Sequence, residues 1–426
     1  MEILENKFTK DKVYKTILEN GLKVFILPKT TTKKKLCMFG TFYGSIDNYI
    51  KEDNERVNIT EGVAHFLEHK LFEQENENIM EKFSQVGVDP NAYTTFDHTV
   101  YYFETVNDMK KPLEYLIRMI SSPYFTDENV EKEKGIISQE IAMYNDNPDY
   151  QSSMISMKNI YLNNPVRNDI AGTDESIAKI DKELLYKVYE QYYRLNNMFL
   201  LVIGDVKVEE TLKEIENNIN KYYTKEEKET VEYTYVEEPI GKVKNKYIEK
   251  ELQVSIPKIC ISYKLKPLVE KENIKRELAI NIIEEIYFGR LSKFYERYYK
   301  LNYINEPLSV SHEDGRSYSY VSISCNCKNT EKMQKIILEY IEDIKNSKVD
   351  SKLLKVIKNK LIGTMIYESE DNEELAYEII KSEINNSNIF EEGNILETID
   401  ESYIESIIKE IFKNKYNLTV IKRALK

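Results

Sequence analysis

The chain has 426 residues, more than one hydrophobic core ordinarily supports, and its 41% hydrophobic content provides for two. Acidic residues outnumber basic ones 73 to 60, a net charge of -13, which argues against a general nucleic-acid binder. No run of about 18 apolar residues is present to cross a membrane, and the charged start Met1-Glu-Ile-Leu-Glu5 lacks the apolar stretch of a secretory signal, so no membrane partner and a cytoplasmic location are expected. Cys37, Cys260, Cys325 and Cys327 are too scattered for a disulfide framework and read as reduced residues.

In chain order, residues 13–28 alternate apolar and polar positions on either side of Asn20-Gly21, which predicts a β-hairpin. Leu36–Tyr43 fits a further strand, a helix starts near Glu61, and Ala92–Glu104 reads as one or two aromatic-rich strands. Helices follow at about 108–120 and 127–145, and Leu200-Leu-Val-Ile-Gly204 reads as a short buried strand. Strands and helices mix without the alternation of a parallel α/β sheet, so the expected class is α+β. From 223 to 246 the chain turns Lys/Glu/Thr/Tyr-rich and poor in aliphatics, which predicts a linker between an N-terminal domain, 1–222, and a C-terminal domain, 247–426. Tyr416–Ile421 echoes Asn197–Ile203, and Val349–Gly363 echoes Phe125–Gln139 at nearly the same offset, which points to duplicated domains, each a mainly antiparallel sheet packed with helices.

Two of the four histidines lie in Gly62-Val-Ala-His-Phe-Leu-Glu-His-Lys70, where His65, Glu68 and His69 spell H-x-x-E-H, the zinc-peptidase motif in inverted order. On a helix, positions i and i+4 share a face about 5–6 Å apart, close enough for two imidazoles to grip one ion. Glu68 borders that face, where a base for a water on the ion would sit. A chance match on an amphipathic helix is the competing reading. A catalytic zinc needs a third protein ligand. Glu133 and Glu140 lie two turns apart on one predicted helix face; one could bind the ion while the other orients its neighbours. A solvated acidic face is the bland alternative, but Ile137, Ile141 and Met143 place Glu140 in partly apolar surroundings. His98 reads as a structural histidine in a strand, and His312, within Ser311-His-Glu-Asp-Gly315, as part of a turn. The tyrosines at 295, 298, 299 and 303 read as amphipathic core or interface material.

These residues resemble the pitrilysin/insulinase family of zinc metallopeptidases, in which H-x-x-E-H precedes a ligating Glu. Glu140 stands 71 residues after His69, slightly closer than the family's usual spacing. Asn91-Ala-Tyr-Thr94 is similar to the family's N-A-x-T strand, and Glu133 falls at its accessory acidic position. Tyr43–Asn48 and Glu131–Tyr144 are closer still to a half-length cytosolic bacterial subgroup whose names are often linked to elongation factor P modification. The resemblance implies a zinc endopeptidase with His65, His69 and Glu140 as ligands, Glu68 as base, Glu133 as accessory, and Asn91 and Ala92 on an edge strand pairing with substrate. It also implies four such domains around a closed chamber, so a two-domain chain must pair with a second subunit. The family's Arg and Tyr seven residues apart are not matched here, since Arg297 is followed at that distance by Ile304. A heterodimer with a motif-less paralogue is therefore favoured over a homodimer. The competing class is a non-catalytic accessory subunit that binds peptide or a partner enzyme; a third is a peptidase dedicated to one partner, such as the leader of a modified peptide.

Overall fold

The computed structural model describes residues 1–53, 55–223 and 230–424. By packing, the chain forms two compact units: Met1–Ile141 with Asp169–Thr234 and Ser369–Glu378, and Ala142–Asn168 with Tyr235–Glu368 and Ile379–Lys426. These units depart from the contiguous domains expected from sequence, because each is completed by a segment from the other half of the chain.

The first half carries strands β1 (Glu2–Glu5), β2 (Lys12–Ile17), β3 (Lys23–Pro28), β4 (Lys35–Thr41), β5 (Tyr49–Glu52), β6 (Glu55–Asn58), β7 (Pro90–Thr94), β8 (Thr99–Thr105) and β9 (Met198–Gly204). Its helices are α1 (Val63–Lys70), α2 (Ile79–Gln85), α3 (Lys110–Ser121), α4 (Asp127–Asp146), α5 (Pro148–Ile160), α6 (Asp174–Ile177), α7 (Lys182–Tyr192) and α8 (Val208–Tyr222). Seven strands form one sheet in the order β1-β2-β3-β9-β4-β8-β7, while β5 and β6 pair separately. All pairings in the large sheet are antiparallel except β3 with β9. The central strand β9, Met-Phe-Leu-Leu-Val-Ile-Gly, is buried at every position, as an unbroken apolar run demands. The expected hairpin is present, with β2 and β3 paired antiparallel and Gly21 at φ +90° in the turn between them. Ala92–Glu104 resolves into β7, β8 and an intervening turn, so His98 sits in that turn and not in a strand.

The second half carries β10 (Tyr247–Leu252), β11 (Lys258–Lys264), β12 (Ser309–Asp314), β13 (Ser319–Asn326) and β14 (Tyr416–Arg423), ordered β10-β14-β11-β13-β12. Its helices are α9 (Glu270–Ile283), continuing into a π-helical turn at Glu284–Phe288, then α10 (Lys293–Lys300), α11 (Thr330–Lys345), α12 (Ser351–Glu368), α13 (Asn372–Ile384), α14 (Glu392–Thr398) and α15 (Glu401–Phe412). Ile259, Ile261, Val321, Ile323 and Val420 of the sheet share one apolar core with Ile280, Ile337 and Ile408 of the helices. His312 lies on β12, an edge strand, and not in the turn its polar neighbours suggested.

Strand for strand, β10-β14-β11-β13-β12 repeats β3-β9-β4-β8-β7, including the single parallel pair, β10 with β14. That topology is the duplication anticipated by the sequence echoes. Each unit also takes in a segment from the other half of the chain. Helix α5 packs on β14 and β11 of the second unit, while the start of α13, through Glu378, belongs to the first. The described part of 223–246 contains no helix or strand, yet it is tied down. Tyr233 Oη donates to Asn197 Oδ1 at 2.7 Å, and the Glu238 carboxylate accepts from the backbone amides of Leu162, Asn163 and Asn164. Among the described residues no helix is long and apolar enough to cross a membrane.

Candidate metal centre

Helix α1 starts at Gly62, whose φ of +90° favours glycine, and a Cβ there would meet the Ala171 carbonyl oxygen at 2.9 Å. Val63, Ala64, Phe66 and Leu67 of the helix are buried, which leaves His65 and His69 to share another face. Their rings lie 4.6 Å apart between centroids. Helix α4 brings Glu140 to both: Oε1 lies 3.5 Å from His65 Nε2 and Oε2 lies 3.4 Å from His69 Nε2. One ligand atom from each of the three residues falls within 4.8 Å of the others, and this is the one such His/Cys/Asp/Glu group among the described residues. Two atoms bound to one tetrahedral zinc at about 2.1 Å stand about 3.4 Å apart, so the donor set fits a zinc ion in both spacing and chemistry.

Glu133, on the same face of α4, reaches the other nitrogen of His69, with Oε1 3.0 Å from Nδ1. It is gripped in turn by Lys70, a fully buried lysine whose Nζ lies 3.6 Å from Glu133 Oε2 and 2.8 Å from Glu73 Oε1. Burial would raise the Glu133 pKa, but His69 and Lys70 outweigh it and hold the carboxyl below its ordinary range. Burial pulls His69 down, yet the hydrogen bonds to Glu133 and Glu140 push its pKa to about 10. The sequence reading did not single out Lys70; a lysine directly after the motif was the available signal. His65 is held differently, because its Nδ1 is buried with no hydrogen-bond partner among the described residues.

Glu68 is 7% exposed, and that burial, against the pull of His65 and a hydrogen bond from Thr94, raises its pKa above the ordinary carboxylate value. A carboxylate in this state is a stronger proton acceptor than one in water. Asn91 and Ala92 lie on β7, which pairs with β8 on one side and ends the sheet on the other. The Ala92 amide donates to Asn91 Oδ1 at 2.9 Å, and Asn91 Nδ2 donates to Tyr102 Oη at 3.3 Å. Helix α1 packs against β7 and β8, so this open edge borders the histidine helix. His98 is buried beside Thr95, with Nδ1 2.9 Å from its hydroxyl, and its ring stands edge-on to Tyr93, as a structural histidine would.

An inverted zinc-peptidase motif in one of two duplicated α+β units places the protein among the inverted zincins. A family model described as Insulinase (Peptidase family M16) matches residues 53–174, and one described as Peptidase M16 inactive domain matches residues 179–361. The uncharacterized zinc protease YmfH of Bacillus subtilis (strain 168) is 34% identical over 96% of this chain and 95% of its own length. Among solved structures, a putative M16-like peptidase from Alicyclobacillus acidocaldarius superposes with a TM-score of 0.91 at 28% identity, covering 97% of this chain and 99% of that one. Pitrilysin shares the fold at a TM-score of 0.76 and 16% identity, with 99% of this chain covering 46% of pitrilysin. The chain belongs to the insulinase family of zinc peptidases.

Proposed function

We propose that the protein is a zinc-dependent endopeptidase acting on peptides or small unfolded polypeptides within a chamber completed by a second subunit. The observation that carries the reading is the convergence of His65, His69 and Glu140 at ligand spacing beside a buried Glu68. His65, His69 and Glu140 would hold the ion, with Glu133 fixing the His69 ring through Nδ1. Zinc, when bound, supplies Lewis-acid polarisation of the scissile carbonyl and of the attacking water. Glu68 takes the proton of that water as its oxygen adds to the carbonyl carbon, and returns the proton to the amine as the C–N bond breaks. The open edge of β7, through the backbone of Asn91 and Ala92, pairs with an extended peptide by strand addition once Asn91 Oδ1 releases the Ala92 amide.

The partner we favour is a motif-less paralogue, because this chain pairs one motif-bearing unit with one that lacks the motif and does not match the family's Arg/Tyr spacing after Arg297. The test is cleavage of a quenched fluorescent peptide by the purified chain, alone and mixed with the paralogue, beside Glu68→Gln. Turnover that appears on mixing and vanishes in Glu68→Gln supports the proposal. Metal binding and peptide binding with no cleavage under any pairing would move the protein to an accessory, peptide-holding role.

A further inference from the structure

We propose that Thr94 is the positioning residue for Glu68, fixing one carboxylate oxygen from the same edge strand that would align the peptide. The inference rests on the proposed role of Glu68 as the base. Thr94 ends β7, and its hydroxyl donates to Glu68 Oε2 at 2.5 Å, the one hydrogen bond to that carboxylate among the described residues. Side chains alternate along a strand, so Ala92 and Thr94 share the face turned toward α1 while Asn91 and Tyr93 share the other. Thr99, fully buried on β8 opposite Thr94, donates to the Tyr43 carbonyl at 2.9 Å, has its hydroxyl 3.5 Å from Thr94 Oγ1, and makes no hydrogen bond to the carboxylate.

The second unit shows the same place built for stability alone. Asp314 ends β12 opposite Ser319, as Thr94 ends β7 opposite Thr99. There the neighbouring helix α9 contributes Arg276, whose Nη2 donates to Asp314 at 2.8 and 3.0 Å and to Ser319 at 3.0 Å. A buried charge is met by its opposite. In the first unit the one hydrogen bond the buried carboxylate accepts comes from a neutral hydroxyl, which fixes its orientation and leaves the other oxygen able to take a proton. A purely structural contact at this position would be expected to resemble the arginine–aspartate pair. Because Thr94 lies two residues beyond Ala92, a peptide added to β7 would meet a base already aimed relative to its register.

The test uses the full chain with its partner and compares Thr94→Val and Thr94→Ser, each in the parent and in the Glu68→Gln background. Thr94→Val is expected to lower kcat roughly 10- to 100-fold, the usual size of one hydrogen bond to a charged group, at unchanged KM and zinc content. Thr94→Ser should recover to within about threefold, and Thr94→Val should add no further loss in the Glu68→Gln background. Crystals of zinc-loaded Thr94→Val should show Glu68 rotated or in several rotamers. Parental kcat in Thr94→Val, an equal loss in the Glu68→Gln background, or an unmoved Glu68 side chain would overturn the assignment. If Glu68→Gln itself turns over normally, the base reading fails instead, and the Glu68 rotamer in Thr94→Val alone decides the positioning claim.

Discussion

The two units share five strands in the same order, and they differ in what joins β4 to β7 and β11 to β12. In the first, that connection holds the β5–β6 hairpin, the histidine helix α1 and α2; in the second it holds α9, the π-helical turn and α10. Both helices send a charged side chain toward the end of the edge strand. The second unit satisfies it with a counter-charge inside a sealed core, and the first leaves a carboxylate buried beside imidazoles with one hydroxyl for company. The same junction of helix and edge strand holds a buried ion pair in the second unit and, in the first, the carboxylate proposed as the base.

The largest expected effect falls on the first unit. Glu68→Gln should cut peptide turnover by about a thousandfold or more while keeping zinc, read by steady-state kinetics beside metal analysis. In urea denaturation the same variant should be as stable as the parent or more so, because it removes a buried charge whose pKa burial has raised. Breaking the second unit's pair should do the opposite. Asp314→Asn, which leaves buried Arg276 with only the half-exposed Glu410, 3.6 Å from Nη1, as counter-charge, should cost roughly 3 kcal/mol in the same experiment and leave zinc in place.

A smaller effect is expected at Glu133. Glu133→Gln should weaken zinc affinity by about 10- to 100-fold, measured by chelator competition, since it loosens the ring of His69 without removing a ligand.

The second unit's pair also carries a pH dependence. Burial would raise the Asp314 pKa, but His312, 2.9 Å away, and Arg276 outweigh it and hold the carboxyl below its ordinary range. A folded-state value below the unfolded value of about 3.9 means the pair's contribution is complete above about pH 4 and is lost as pH falls through the folded value. The parent should therefore lose stability below about pH 4 more steeply than Asp314→Asn, followed as the urea midpoint against pH. Equal slopes would remove Asp314 from the acid response.

What could be read in advance follows the range of the interactions. His65, Glu68 and His69 declare themselves because their chemistry is set by helical spacing within five residues. Glu140 and Glu133 required the resemblance as well, since α4 meets α1 only through the fold. Thr94 was passed over although it closes the quoted Asn91–Thr94 strand; its alternation with Ala92 was the signal, and its meaning depended on α1 packing over β7. The misreading of His312 has a similar cause. Ser-His-Glu-Asp looks like a turn by composition, yet Arg276 and the pairing with β13 hold it as an edge strand. The expected linker was poor in aliphatics because its anchoring runs through Tyr233 and Glu238 side chains, which leave no periodic signature. The exchange of α5 and the start of α13 between units had no local signal at all.

In the proposed reading the first unit carries the metal, held between α1 and α4. Zinc content of the purified chain by mass spectrometry, beside Glu68→Gln and Glu140→Gln, decides the matter. One zinc ion per chain is expected in the parent and in Glu68→Gln, and its loss in Glu140→Gln. No zinc in the parent even after it is supplied, or zinc retained undiminished in Glu140→Gln, would contradict it.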